Sequence, residues 1–410
     1  MKSYFKFLPA ILVAGMFVAC DNNGDGVKGG EEETPTEIKL SAQESRAAEQ
    51  VQGFNEDFFK AVVSGNSDAN LVCSPMSASV LMSMVANAAT GELSSDITKT
   101  LGCNDLKSLN SLNHKLLTVL PNVDPEVTFT AANGVWYDQR YTINADFAKV
   151  STDYYSAPTY AADFQGAPNE VVKSVNGWVN EKTKGIIPSI LNSLSKEQSA
   201  IIVNAIYYNG KWTVPFNKDE TKEGTFYGAK GTSTVKMMHK KYNQFFCEVK
   251  GHQVLKMKAG NQNAFEVIMI LPSADDIDAF IADADFSDFC KAPFKAQALD
   301  LFVPKMKFEQ AEPTLLNSAL TTLGIKGLAS GNQLQMFNED VHANHYIYQK
   351  TGIEFTEEGA EAAAVTWDTV YTSNGQPSEY KEVRFDHPFV FLIREATTGA
   401  ILFAGKISDL

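Results

Sequence analysis

The sequence predicts one large α+β domain dominated by antiparallel sheets, and three observations lead there. Helical and strand patterns are interspersed without the strand–helix–strand alternation that builds a parallel sheet. No internal repeat is present. No Pro/Gly-rich linker interrupts the middle of the chain, so its apolar segments have to share one core. Composition agrees: 44% of the 410 residues are hydrophobic, 20% are charged, and 26 are Phe. That is material for a sizeable core, and it is far from disordered or collagen-like usage.

The first segment is an address. Lys2 and Lys6 flank the start of an apolar run over residues 7–19, too short to span a bilayer but of the length of a secretory signal. Val18-Ala19-Cys20 followed by Asp21-Asn22-Asn23-Gly24 is similar to a bacterial lipoprotein cleavage site. Residues 1–19 are then a signal peptide and Cys20 becomes the lipidated first residue, although Phe17 stands where Leu is usual. A plain cleaved signal is the alternative, and both readings export the protein. Residues 20–36 read as an acidic tether. Asp21, Asn23, Asp25-Gly26 and Glu32 spell a calcium-binding loop, but Lys28 replaces its closing apolar residue. No helix can precede a loop starting at Cys20, so a solvated tether is expected.

The domain covers residues 37–410. Ser41-Ala42-Gln43-Glu44 is a capping box, and Val51, Phe54, Phe58 and Val62 carry a first helix to about Ser64. Ser74-Pro75 opens a second helix through Met84. Residues 200–208, 265–271 and 298–303 read as buried strands, and 383–393 and 400–407 as two more around a turn at 395–399.

Several functions are excluded. Lys plus Arg is 35 against 49 Asp plus Glu, a net charge of −14, and no basic stripe overrides it. A nucleic-acid partner is not expected. Cys73, Cys103, Cys247 and Cys290 lie far apart, without the close pairs of a zinc site. Whether two of them oxidise stays open. His342 and His345 could share a helix face, but no third ligand accompanies them, so they read as polar surface. Nucleophile elbow, P-loop and dinucleotide fingerprint are all missing, so neither enzyme chemistry, metal nor cofactor is expected.

The informative stretch is 356–380. Glu357-Glu358-Gly359-Ala360-Glu361-Ala362-Ala363-Ala364-Val365-Thr366 is followed by Trp367, Asp368, Thr369, Val370, Tyr371, Thr372, Ser373, Asn374, Gly375, Gln376 and Pro377. An alanine helix would soon have to carry Val365, Thr366, Thr369 and Val370, all β-branched and poor helix formers. As a strand, it would put Ala360, Ala362, Ala364, Thr366, Val370 and Thr372 on one face, with Asp368 the costly exception. No proline lies between Gly359 and Gln376, so every N–H there can join a ladder.

Here the chain resembles the serpins, serine protease inhibitors of the suicide-substrate kind, over about residues 41–410. Residues 357–366 are similar to the inhibitory hinge. Phe385-Asp386-His387-Pro388-Phe389-Val390-Phe391-Leu392 and Gly405-Lys406 resemble the C-terminal signature. Asn70, Ser74-Pro75 and Ser77 match the family's second helix. Asn204-Ala205-Ile206-Tyr207, Gly210-Lys211-Trp212 and Phe216 match its central strand. Asn133, Asn176, Trp178, Leu271-Pro272, Pro304-Lys305 and Leu323-Gly324-Ile325 fall in the family's order.

The resemblance implies three β-sheets, about nine helices and an exposed reactive loop at 360–381. It implies a monomer that traps a target protease as an acyl-enzyme. The freed loop then inserts into the central sheet and carries the enzyme away. Fifteen inserted residues at ~3.3 Å each span roughly 50 Å. Ser74, Ser77, Asn204 and Gln349 match a polar cluster beneath the opening sheet, with Gln349 where a histidine is usual. Lys305 and Glu357 match an ion pair near Trp212 where the loop joins the sheet. Counting fifteen residues from Gly359 puts the reactive bond at Ser373–Asn374, with Tyr371 and Thr372 as alternatives; counting from the far end gives Pro377. No Lys or Arg lies between Lys350 and Lys381, so the implied targets are elastase-like or chymotrypsin-like serine endopeptidases, with cysteine endopeptidases as a further class. The alternative within the family is a non-inhibitory binding or chaperone-like protein. The implied location is the bacterial envelope, periplasmic or surface, through a lipid anchor, or outside the cell.

Overall fold

The computed structural model describes residues 35–66, 70–274, 276–309, 314–329, 333–339, 344–359 and 379–410. The chain begins with α1 (Ala42–Ser64), β1 (Leu71–Cys73), α2 (Pro75–Ala86), α3 (Gly91–Leu101), α4 (Leu106–Val119), β2 (Val127–Asp138), α5 (Ala145–Tyr155), β3 (Thr159–Ala162) and α6 (Pro168–Lys182). It continues with β4 (Gln198–Gly210), β5 (Lys222–Gly228), β6 (Gly231–Val249), β7 (His252–Ala259), β8 (Phe265–Leu271), α7 (Ile277–Asp283), α8 (Phe286–Cys290) and β9 (Lys295–Pro304). Last come β10 (Met306–Glu309), β11 (Thr314–Leu315), α9 (Asn317–Thr322), β12 (Asn344–Phe355), β13 (Lys381–Arg384), β14 (Phe389–Glu395) and β15 (Ile401–Ile407).

Local chemistry explains where the first helices start. The Ser41 N–H donates to the Glu44 carboxylate at 2.6 Å and the Glu44 N–H to Ser41 Oγ at 3.3 Å, the reciprocal capping box. Val51, Phe54, Phe58 and Val62 are buried. In α2, Ser74 caps the Ser77 N–H at 3.3 Å and Pro75 takes the first turn, where its missing N–H costs nothing. All twelve α2 residues are buried, which is why its sequence lacks an amphipathic stripe.

Two hydrogen-bonded networks result. The six-stranded sheet runs β10-β12-β4-β2-β3, with β11 also on β12. Its centre is a parallel pair, β12 beside β4, flanked by antiparallel partners β10 and β2. The nine-stranded network runs β1-β15-β14-β8-β7-β6-β9-β13, with β5 on β6. The three sheets expected from the resemblance are reconciled by β6. Its residues 231–237 pair with β5, 237–246 with β9 and 245–249 with β7, so it joins two sheets into one network. The main core packs α1 and α2 with residues of both sheets, and a smaller one lies where Trp136, Ile201 and Val203 meet Val171, Val175 and Val179 of α6.

Two expectations change. The strand expected over 383–393 is two, β13 and β14. Pro388 has no N–H to give a ladder, and the Asp386 carbonyl accepts from Tyr227 at 2.7 Å instead. The halves then pair differently, β13 parallel to β9 and β14 antiparallel to β8 and β15. His345 belongs to strand β12, so it forms no helix face with His342, which lies outside the described residues. Cys73, Cys103, Cys247 and Cys290 are free thiols.

Candidate functional site at the root of the 360–378 segment

Beyond β12 the chain reverses within two residues. The Thr356 N–H donates to the Gly359 carbonyl at 2.8 Å and the Gly359 N–H returns to the Thr356 carbonyl at 3.2 Å, leaving Glu357 and Glu358 at the tip. Gly359 has φ +119°, and a Cβ there would lie 2.3 Å from the Gly210 carbonyl oxygen and 2.4 Å from Lys211 Cα. Only glycine fits. The segment after β4 holds the turn by its carbonyls. Trp212 donates its indole N–H to Thr356 and its backbone N–H to Glu358, both at 2.9 Å, and the Phe216 N–H reaches Glu357 at 2.7 Å. The Trp212 ring lies flat on Phe355, centroids 5.5 Å apart and planes within 5°. Each side chain at the tip then finds a lysine. Lys305 Nζ is 2.9 Å from Glu357 Oε2, and Lys218 pairs with Glu358. Burial works against the charged form of Glu357, yet the Lys305 ammonium and its own backbone N–H outweigh it and hold the carboxyl below the usual range. Beneath Phe216 lies a buried cation. Lys240 donates to the Val214 carbonyl at 2.7 Å with its ammonium 4.2 Å from the Phe216 ring centre, and burial pushes it down to about 7.

The β12–β4 seam leads away from this turn. Gln349 and Asn204 are register partners across it. Gln349 grips the start of α2, accepting from the Ser74 N–H at 3.0 Å and donating to the Ser74 carbonyl at 3.1 Å. Asn204 donates to Asn133 Oδ1 at 2.8 Å, and Asn133 in turn to the Tyr155 carbonyl at 2.9 Å. The Tyr155 hydroxyl reaches Asn110 at 2.5 Å, and Asn110 donates to Asn87 at 2.9 Å. The Oδ1 atom of Asn204 is buried without a hydrogen-bond partner.

The structure therefore brings Ser74, Ser77 and Gln349 into one bonded group, with Asn204 beside it but bonded into a separate network. Trp212, Lys305, Glu357, Glu358 and Gly359 meet at the turn. Cys20, the remaining hinge residues 360–366, Tyr371, Thr372, Ser373 and Asn374 lie outside the described residues. Sequence reasoning missed Lys218, Lys240, Tyr155, Asn110 and Asn87. A lysine or asparagine in a polar stretch carries no mark of a partner so far away in the chain.

The comparisons agree with this architecture. The chain is 30% identical over 359 residues to serpin-Z2B of Triticum aestivum, covering 82% of this chain and 89% of that one. It is 28% identical over 372 residues to the leukocyte elastase inhibitor of Homo sapiens, covering 87% and 97%. The crystal structure of a thermophilic serpin, tengpin, in the native state superposes with TM-score 0.80 at 25% identity, over 91% of this chain and 95% of that one. The family model described as Serpin (serine protease inhibitor) matches residues 49–410. With that match over most of its length and the parallel seam beside a two-residue turn, the chain belongs to the serpin family.

Proposed function

We propose that this chain is a suicide-substrate inhibitor of elastase-like or chymotrypsin-like serine endopeptidases, acting by cleavage of the 360–381 loop and its insertion between β12 and β4. The observation that carries this reading is the Thr356–Gly359 turn, which already begins an antiparallel hairpin beside a parallel seam. Continuing its register places Ala360, Ala362, Ala364 and Thr366 opposite Phe355, Ile353, Thr351 and Gln349, all four of them buried. The small residues of the hinge thus arrive on the core side. A strand added there replaces one parallel pairing by two antiparallel ones, which are the more stable kind. The protein supplies no catalytic group; the protease attacks the loop, and insertion outruns hydrolysis of the acyl bond.

The same reading includes export with a signal peptide over 1–19, lipidation at Cys20 and an envelope location. Metabolic labelling with a fatty acid tests it: label retained in Cys20→Ser refutes the anchor. For inhibition, incubation with pancreatic elastase, chymotrypsin and trypsin is followed by denaturing electrophoresis. Covalent adducts are expected with the first two and none with trypsin. The released C-terminal peptide should begin at Thr372, Ser373, Asn374 or Gly375. Cleavage without adduct overturns the inhibitory reading, and a peptide starting beyond Pro377 overturns the assigned bond.

A further inference from the structure

The short segment ahead of α1 is bonded to the body at three places. Thr36 donates its N–H to the Gln262 carbonyl at 2.9 Å and its hydroxyl to Gln262 Oε1 at 3.0 Å. Ile38 is 4% exposed, and its N–H donates to Thr397 Oγ1 at 3.1 Å. Lys115 Nζ reaches the Lys39 carbonyl at 2.9 Å. These residues precede Glu49, where the family match begins.

What the segment holds is the turn between β7 and β8. The Gln262 N–H donates to the buried Asp124 carboxylate at 2.7 Å. Gly260, at φ +83°, packs so closely on Asp124 that a Cβ would lie 2.1 Å from Oδ2, so turn and carboxylate must move together. The Gly260 N–H donates to the Lys211 carbonyl at 2.8 Å, and Thr213 is bonded to both Lys258, at 3.0 Å, and Gly260, at 2.8 Å. Lys211 is the residue bridged to Gly359. Thus one side of the turn carries the strap and the other braces the strand that pins the root of the loop.

We propose that residues 35–40 form a strap that acts as a brake on loop insertion: docked, it braces the β7–β8 turn against Lys211 and thereby Gly359; released, it loosens that root. The two discrete states are strap docked and strap free, and the differential contacts are those of Thr36 and Ile38. The consequence for inhibition rests on the insertion reading above, but the bracing itself does not.

The test uses the full chain carrying Ile38→Asp, which releases the strap, and separately Thr36→Pro, which removes both the N–H and the hydroxyl that link it to the turn. Hydrogen exchange of the intact protein is followed at the amides of Trp212, Thr213 and Gly260. Both variants are expected to exchange there about tenfold faster than the parent, a coupling of the size such contacts transmit. The half-life of inhibitory titre at raised temperature should shorten to a similar extent, with the association rate for protease unchanged. Faster exchange confined to residues 35–40, with Trp212 and Gly260 unmoved, overturns the proposal. Should Ile38→Asp fail to fold, Thr36→Pro decides by the same readout. If no protease is inhibited by any variant, the insertion reading fails while the exchange data still decide the bracing.

Discussion

Gln349 and Asn204 stand opposite each other across the parallel β12–β4 seam, yet neither side chain bonds the other. Gln349 is tied to Ser74 at the start of α2 and Asn204 to Asn133 on β2. At this point the seam can therefore part without breaking a side-chain bond across it; the Gln198 amide donates to the Tyr348 hydroxyl at 3.4 Å nearer its far end. Each half keeps its own anchor.

Removing the Gln349 amide should test that anchor. Gln349→Ala leaves the Ser74 N–H buried without a partner, while the Ser74 carbonyl keeps the Ala78 N–H, at a cost of about 1–3 kcal/mol. A clear fall in melting temperature of the intact protein is expected, with more of it turned over as substrate. An unchanged melt would mean that water or a neighbour replaces the amide.

On the proposed insertion Ala362 would come opposite Ile353, on the core side. Ala362→Arg would carry a charge into that core during insertion and slow it. Titration against elastase should show the variant consumed as substrate, several molecules per enzyme inactivated. Unchanged stoichiometry would contradict the register.

On the same reading Asp368 would come opposite Ile347, an acid facing an apolar, buried position. Asp368→Ala should leave the intact form unchanged and make the loop-cleaved form more stable, by about 1–3 kcal/mol. Calorimetry of both forms decides it. Equal gains in the two forms would place Asp368 elsewhere.

Lys240 gives stability a pH dependence. Its ammonium titrates at about 7 in the folded protein, whereas the unfolded chain keeps a value of about 10.4. Between those values the unfolded state binds the extra proton, so stability rises with pH; below about pH 7 both states are charged and the penalty is complete. Lys240→Met should abolish the rise between pH 7 and 10 and raise the melting temperature at neutral pH and below. Parallel pH profiles for parent and variant would sink the assignment.

Much of the fold was legible because its signals are local. Ser41 and Glu44 announce the start of α1, and Ser74-Pro75 that of α2. The runs of β4, β8 and β15 are apolar enough to read directly, because both their faces are covered. Residues 383–393 misled for another reason: the alternation Val383-Arg384-Phe385-Asp386 runs into the apolar stretch from Phe389, and the two patterns together hid the break at Pro388 that sends β13 and β14 to different partners. At the site, the resemblance led to Glu357, Lys305 and Trp212. Lys218 comes from a turn well before the loop, and the Asn87–Asn110–Tyr155–Asn133–Asn204 chain joins three helix segments to two strands. Pairings across such distances leave no periodicity to detect.

The Thr356–Gly359 turn also sets a race during folding. A hairpin continuing from it would close locally, on the microsecond scale of such structures. The pairing of β12 with β4 must instead bring together residues as far apart as Gln349 and Asn204, a slow long-range closure. The local product is the wrong one for an intact loop, because a chain that zips it early has filled its own seam. What prevents this lies after the loop. β13 docks on β9, and β14 and β15 embed in the nine-stranded network, so the far end of the loop is held away from β12. All three strands are made after the loop. The nascent chain is therefore exposed to premature zippering until residues 381–407 emerge, and a chain ending before β13 would have nothing to stop it.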